Sequence, residues 1–123
     1  MAHGAVLRKN FFNEEELTAI VEDFTNAGLP EDEVAVMSLA QKVVRAAHTV
    51  SNEDIEHLRA FGLEDEEIFD VILTAAARCF FGHALDAAGI KPDDAYLEDL
   101  DGNLPDVLAV GRPWQPDEPA SDA

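Results

Sequence analysis

Apolar residues recur along most of the chain at intervals of three and four positions, which is the spacing of one face of an amphipathic helix. No segment alternates apolar and polar residues over the length of a strand with turn signals on both sides. The pattern therefore predicts an all-α fold, a bundle of about five helices packed antiparallel through short loops. The predicted helices cover residues 2–10, 14–27, 31–48, 52–61 and 64–88.

Residues that favour helix ends support these boundaries. Asn13 precedes the second helix and Glu16 follows three positions later, which is the spacing of a capping box. Ser51 takes the capping position of the fourth helix. Gly62 and Gly89 follow the fourth and fifth helices, where a left-handed residue commonly ends a helix.

The fifth helix is the longest and carries two adjacent sets of apolar residues, while the earlier helices carry one stripe each. A helix that is apolar over so wide an arc is expected to be buried on more than one side, so the sequence predicts a buried central helix. The two sets are Phe69, Leu73, Ala76, Phe80, Ala84 and Ala87, and beside them Ile68, Ile72, Ala75 and Cys79. The earlier stripes are Leu17, Ile20, Val21 and Phe24, then Val36, Leu39, Ala40, Val43, Val44 and Ala47, then Ile55, Leu58 and Phe61.

A change of composition near residue 92 predicts a second region. Residues 1–91 are expected to form the helical domain, and residues 92–123 an extended, proline-rich acidic tail. Its apolar side chains could dock the tail on the core or on a partner subunit. They are Tyr96, Leu97, Leu100, Leu104, Val107, Leu108, Val110 and Trp114.

Charge narrows the choice of partners. The chain has 26 acidic and 8 basic residues, a net charge of −18. Such a surface repels phosphate, so neither nucleic acid nor a membrane is an expected partner. The chain contains no run of about 18 apolar residues, so no membrane span is predicted. The start of the chain lacks the pattern of a signal peptide. The acidity has two interpretations, solubility or adaptation to high salt.

The single cysteine, Cys79, rules out a disulfide scaffold within one chain and favours a reducing, cytoplasmic location. Apolar neighbours predict a small buried side chain rather than a reactive thiol. A nucleophile–base couple of Cys79 with His83, one helical turn away, is the alternative. His48 and His57 are expected at the surface.

Known motifs do not add a site. No histidine pair has the i, i+4 spacing that zinc or iron sites use, so no metal is predicted. Asp99, Asp101 and Asn103 begin like a calcium loop, but Leu104 and Val110 stand where that loop needs Gly and Glu. The segment is instead expected to form a turn in which Gly102 has a positive φ. The sequence contains no phosphate-binding or dinucleotide-binding loop, and no cofactor is predicted.

Three stretches together resemble the peroxidase-related branch of the alkylhydroperoxidase-like (carboxymuconolactone decarboxylase) family. They are residues 2–8, the helix of residues 34–50 with residues 51–63 after it, and residues 65–89. The helix-turn-helix centred on Gly62 is the best match. The resemblance covers about residues 1–91, and most of the matching positions are apolar or capping residues. It implies an all-helical fold of that family and association into homodimers or larger oligomers.

The resemblance also implies a catalytic residue. Active members of the family use a Cys-x-x-Cys-x-x-x-His motif preceded by a glutamate, in which one thiol attacks the hydroperoxide and the other resolves the sulfenic acid. His3-Gly4 matches the His-Gly of that motif, so His3 is the one catalytic position that carries over. The cysteines and the glutamate would fall before Met1. The chain is therefore expected to be either a shortened form of a longer enzyme or a descendant without thiol chemistry.

Three functions follow as hypotheses. The first is a peroxidase-related protein that is inactive as a thiol peroxidase in this form, with a dithiol reductant as the partner of a full-length form. The second is a non-catalytic helical module that associates with itself. The third is a decarboxylase-like or lactone-processing enzyme without thiol chemistry, in which His3 or His83 acts as general acid–base beside Arg45, Arg59 or Arg78.

Overall fold

A computed structural model describes residues 2–109, except the side chain of Leu97. The described residues are helical with no β-strand, which confirms the predicted all-α class. The α-helices are α1 (Ala2–Asn10), α2 (Glu14–Asp23), α3 (Glu31–Ala46), α4 (Asn52–Ala60), α5 (Asp65–Ala87) and α6 (Leu104–Leu108). Short 3₁₀ turns cover Phe24–Asn26, Ala47–Thr49 and Asp94–Asp99.

The contacts group the chain into two compact units. Unit 1 comprises Met1–Ala27 with Lys91–Ala123, and unit 2 comprises Gly28–Ile90. Each unit has its own cluster of buried apolar side chains. The domain division expected from composition, residues 1–91 and 92–123, stays a prediction, and Val110 and Trp114 lie outside the described residues.

Unit 1 is built on α1 and α2, which pack against each other and against the segment that follows residue 93. Leu17 of α2 and Leu104 of α6 are fully buried in its core, with Ala5 and Leu100 beside them. At the edge of this core, Arg8 pairs with Asp101, and Lys9 Nζ lies 3.2 Å from Asp99 Oδ1. Apolar packing and exposed ion pairs thus hold residues 94–108 against α1 and α2.

The capping box predicted at the start of α2 is present. Glu16 N donates to Asn13 Oδ1 and Asn13 N donates to Glu16 Oε2, both at 2.9 Å. The helix ends at Asp23 rather than near Gly28, because the Asp23 carboxylate accepts from Thr25 N at 3.0 Å and from its Oγ1 at 2.5 Å. These bonds favour the tighter turn at Phe24–Asn26 and hold the pKa of Asp23 below its usual value.

Unit 2 packs α3 and α4 against α5. Its core consists of Ala35 and Leu39 of α3, Leu58 of α4 and Ile68 of α5. Val44 of α3 and Phe61 after α4, which the apolar stripes placed on buried faces, are exposed instead. The apolar stripes of α3 and α4 contain more residues than the contacts among the three helices of unit 2 can bury.

The connections within unit 2 follow the sequence closely. Ser51 and Asp54 form a capping box at the start of α4, and Lys42 Nζ donates to Asp54 Oδ2 at 2.6 Å. After α4, Gly62 has φ +93°, and Leu63 N donates to Leu58 O at 3.3 Å, which closes the helix end. The Gly62 turn allows α5 to begin three residues later and pack back on α4.

The predicted burial of α5 on more than one side is wrong for the single chain. The bounds of α5 match the prediction within one residue, and Ile68 and Ala75 are buried. Phe69, Leu73 and Phe80 are exposed. Because α3 and α4 cover one side of α5 within unit 2, the second apolar side has no helix of that unit against it.

Candidate functional site: an open apolar helix face

The predicted catalytic residue, His3, lies exposed on α1 of unit 1. Its neighbour Gly4 is buried, and a Cβ there would collide with the Leu108 side chain. The contact with Leu108 therefore accounts for the glycine at position 4 by packing, without a catalytic role for the His-Gly pair. The role of His3 stays a prediction.

The alternative thiol site does not form a couple on α5. Cys79 is half-buried and His83 is exposed, and no side-chain hydrogen bond joins them among the described residues. The Arg78 guanidinium carbon lies 6.0 Å from the centre of the Phe81 ring, a cation–π contact that engages the cation with an aromatic ring. Nothing in this arrangement activates the Cys79 thiol.

The arginines of the decarboxylase-like hypothesis are engaged elsewhere or exposed. Arg59 pairs with Glu56 and, at 2.7 Å, with Asp65, and the hydrogen bond to Asp65 raises the pKa of the guanidinium. His57 packs edge-on against Phe61, with the ring centres 5.2 Å apart. Arg45 is exposed near the end of α3. These side chains do not converge on an enclosed cavity.

Unit 1 has a shallow depression of about 630 Å³ that is open to solvent. Arg8 lies in its wall, and its Nε is the one buried side-chain polar atom without a hydrogen bond in the described part of the chain. Carboxylates dominate the rest of the wall, so the depression suits neither an anion nor an enclosed substrate. Its lining is Arg8, Asn13, Glu14, Glu15, Thr18, Ala19, Glu22 and Asn103.

The most distinctive feature of unit 2 is an apolar surface on α5, which we call the open face. Phe80 is 77% exposed, Phe69 57% and Leu73 49%, and the intervening alanines are exposed as well. The positions are spaced by three or four residues and share one side of the helix. The open face comprises Phe69, Leu73, Ala76, Phe80, Ala84 and Ala87.

The adjacent apolar set, Ile68, Ile72, Ala75 and Cys79, which we call the closed face, packs within unit 2. Ile68 is 2% exposed, Ala75 is buried, and Ile72 and Cys79 are half-buried. Ile68 lies in the same cluster as Leu39 of α3. One helix therefore presents one packed apolar face and one that is open to solvent in the single chain.

By length and composition, α5 can also cross a bilayer, unlike any other helix in the described part of the chain. An 18-residue window has a mean hydropathy of 1.5, and 11% of that window is buried. Counting uninterrupted apolar residues missed this segment because Asp70 and Arg78 break the run. A core helix of a soluble protein meets the same test, so the finding is weak evidence for a membrane span.

Three further large apolar residues of unit 2, outside the open face, are exposed, and the sequence pattern did not predict their exposure. Phe81 on α5 is 52% exposed, and Val44 and Phe61 are also at the surface of unit 2. The available signal was the excess of apolar positions over those needed for one helix–helix contact. The sequence pattern alone predicted that these extra apolar positions would be buried within the chain.

No family model matches the chain, and the comparisons with curated proteins and with solved structures also give no match.

Proposed function

We propose that this chain is a non-catalytic helical module that associates with a second copy of itself through the open face of α5. The observation that carries the proposal is the exposure of Phe69, Leu73 and Phe80 on one face of α5, beside an adjacent apolar face that is packed. The resemblance to the alkylhydroperoxidase-like family supports the same proposal, because members of that family associate through their helices.

The size of the exposed surface fits an interface. The side chains of Phe69, Leu73 and Phe80 together expose roughly 350 Å², given that an aromatic side chain can bury about 150–250 Å². Monomeric proteins rarely leave a contiguous apolar patch larger than a few hundred Å² in water. Two such patches, with the alanines and polar residues around them, reach the roughly 1,000 Å² that a specific interface needs.

The energy of burying this surface is large enough to offset the loss of translational and rotational freedom on association. At about 25 cal/mol per Å², two patches of this size contribute on the order of 20 kcal/mol before any cost is subtracted. Loss of translational and rotational freedom costs about 4–15 kcal/mol, and the ordering of side chains and the desolvation of polar groups add to that cost. Buried area alone does not set the affinity, and the proposal specifies association at micromolar concentration, which sedimentation measures.

The same proposal assigns no thiol-peroxidase activity to this chain. A Cys-x-x-Cys cycle needs two sulfurs, whereas the chain has one cysteine, on the closed face of α5. We expect no turnover of an organic hydroperoxide with a dithiol reductant. Robust turnover that survives Cys79→Ser would overturn the non-catalytic assignment.

The test of self-association uses a charge placed on the open face. Leu73→Glu is expected to leave the helix content unchanged, because Leu73 is half exposed, and to weaken association at least about 30-fold, as loss of an interface anchor does. Sedimentation measures the association, and circular dichroism verifies the fold.

Phe11→Glu is the matched control, because Phe11 is 71% exposed but belongs to unit 1. Association that is equally weak in both variants would reflect charge alone and would contradict the role of the open face. Equal and undiminished association in both variants would contradict it as well.

A lipid bilayer is the competing occupant of the open face. Two features argue against it: the net charge of −18, which anionic lipid repels, and the packing of the closed face on α3. Sedimentation with vesicles of neutral phosphatidylcholine and with vesicles containing anionic phosphatidylserine separates the cases. Binding to either vesicle that Leu73→Glu abolishes would replace the self-association proposal with membrane insertion.

A further inference from the structure

We infer that the two copies pair with their α5 helices antiparallel, around a two-fold axis that passes between Ala76 and Ala77. This inference rests on the proposed self-association and specifies its geometry. Its support comes from the order of large and small residues along the open face and from the distribution of charge along α5.

An antiparallel pair centred between residues 76 and 77 places Phe69, at each end of the contact, level with a small residue. Phe69 of one copy lies level with Ala84 of the other, whereas Leu73 lies level with Phe80, so the two levels next to the axis each hold two large side chains. At the axis, Ala76 and Ala77 allow the two helices to approach closely. Interdigitation of large and small residues is how helix interfaces reach the density of a protein interior.

A parallel pair in register would place each residue opposite itself. The Phe69 and Phe80 levels would then each hold two rings, while the Ala76 and Ala84 levels would each hold two methyl groups. Rings that hold the helices apart leave space at the alanine levels, and such cavities destabilise an interface. The antiparallel pair has one level with two alanines, at the axis, whereas the parallel pair has three, at residues 76, 84 and 87. The open face is therefore more complementary to its own reverse than to itself.

Charge favours the same direction. The first turn of α5 contains Asp65, Glu66 and Glu67, and no basic residue precedes Arg78 in the helix. A parallel pair would bring the two acidic turns together, whereas an antiparallel pair places each acidic turn beside the carboxyl end of the other helix, where Asp86 is the one acidic residue. The antiparallel direction also sets the two helix dipoles in opposite senses.

Disulfide trapping tests the direction on the full chain. In a Cys79→Ser background, the variants are Ala76→Cys, Glu66→Cys and Ala87→Cys, and none of them removes a large side chain of the open face. In the antiparallel pair, residue 76 lies close to its own counterpart, whereas residues 66 and 87 each lie about 30 Å along the axis from theirs. A disulfide needs Cα atoms about 4.4–6.8 Å apart.

The expected result is efficient cross-linking of Ala76→Cys to itself under mild oxidation. Glu66→Cys and Ala87→Cys alone are expected to stay uncrosslinked. Mixed under reducing conditions and then oxidised, they are expected to form the mixed disulfide, because residues 66 and 87 lie level with each other. Each variant is first examined by sedimentation to establish that it associates as the Cys79→Ser protein does.

Two opposite results separate this inference from the proposal beneath it. Glu66→Cys and Ala87→Cys that each cross-link to themselves, with no mixed product, would establish a parallel pair; the direction inferred here would be wrong and self-association would stand. A protein that associates but gives none of these disulfides uses another register or surface, which also overturns the inference. If sedimentation finds both the wild type and the Cys79→Ser protein to be monomeric, the proposed function itself is overturned.

Discussion

The two apolar faces of α5 have different surroundings. Ile68 and Ala75 of the closed face are buried, Ile68 in a cluster with Leu39 of α3, whereas Phe69 and Phe80 of the open face are exposed to solvent. The open face carries the larger side chains, so size and hydrophobicity alone do not decide which face packs within the chain. Hydrophobic periodicity identifies surfaces that need a partner, and the topology of the helices decides whether the same chain supplies it.

Truncating one large residue on each face gives the largest expected contrast. Ile68→Ala leaves a cavity in the core of unit 2 and is expected to lower the free energy of unfolding by about 2–5 kcal/mol. Leu73→Ala, at a half-exposed position, is expected to change the stability of the dissociated chain by less than about 0.5 kcal/mol and to weaken association.

Urea unfolding followed by circular dichroism at low protein concentration measures the two stabilities, and sedimentation measures association. If Leu73→Ala lowers the free energy of unfolding of the dissociated chain by several kcal/mol, the open face packs within the chain, and the contrast between the two faces is wrong.

Acid is expected to weaken the packed side of unit 2 through Asp54. The hydrogen bond from Lys42, followed by the one from Ser51 N, lowers the pKa of Asp54 from 3.8 to about 2. Because the pKa is lower in the folded state, this carboxylate stabilises unit 2 above pH about 4, and the contribution is lost as the pH falls towards 2.

The measurement is the urea midpoint as a function of pH for the wild type and for Asp54→Asn. The wild type is expected to lose stability more steeply than the variant between pH 4 and pH 2. Parallel curves for the two proteins would mean that the Lys42–Asp54 pair does not contribute in solution.

Salt is expected to have the smallest effect on self-association. The direction of the change in the dissociation constant distinguishes an apolar interface from one held by ion pairs. Two copies that each carry −18 repel each other, and raising the salt concentration screens that repulsion. The dissociation constant of self-association is expected to fall by a factor of roughly 3–10 between 0.05 and 0.5 M sodium chloride. A dissociation constant that rises with salt would indicate an interface held by ion pairs instead.

Local signals in the sequence were sufficient to predict where most of the helices begin. Asn13 and Ser51 predicted where α2 and α4 begin, and Gly62 predicted the turn before α5. The early end of α2 at Asp23 was not predicted, because it depends on the geometry of one side-chain carboxylate and its three bonds to the next residues. Gly102, with φ +55°, has the positive φ expected of the turn.

The candidate site was harder to predict from the sequence. Both apolar sets of α5 were recognised, but the amount of surface that α3 and α4 can cover depends on how the three helices pack. Val44 and Phe61 were placed on buried stripes for the same reason. Single-sequence periodicity contains no information on the area of the opposing surface, so it could not divide the apolar positions between the core and an interface.

Sedimentation equilibrium of the unmodified chain at micromolar concentration determines whether two copies associate through the open face. The chain has a mass of 13.4 kDa. We expect a species of twice that mass, which Leu73→Glu converts to a single chain and Phe11→Glu does not. A single-chain mass for the wild type across the micromolar range would contradict this expectation.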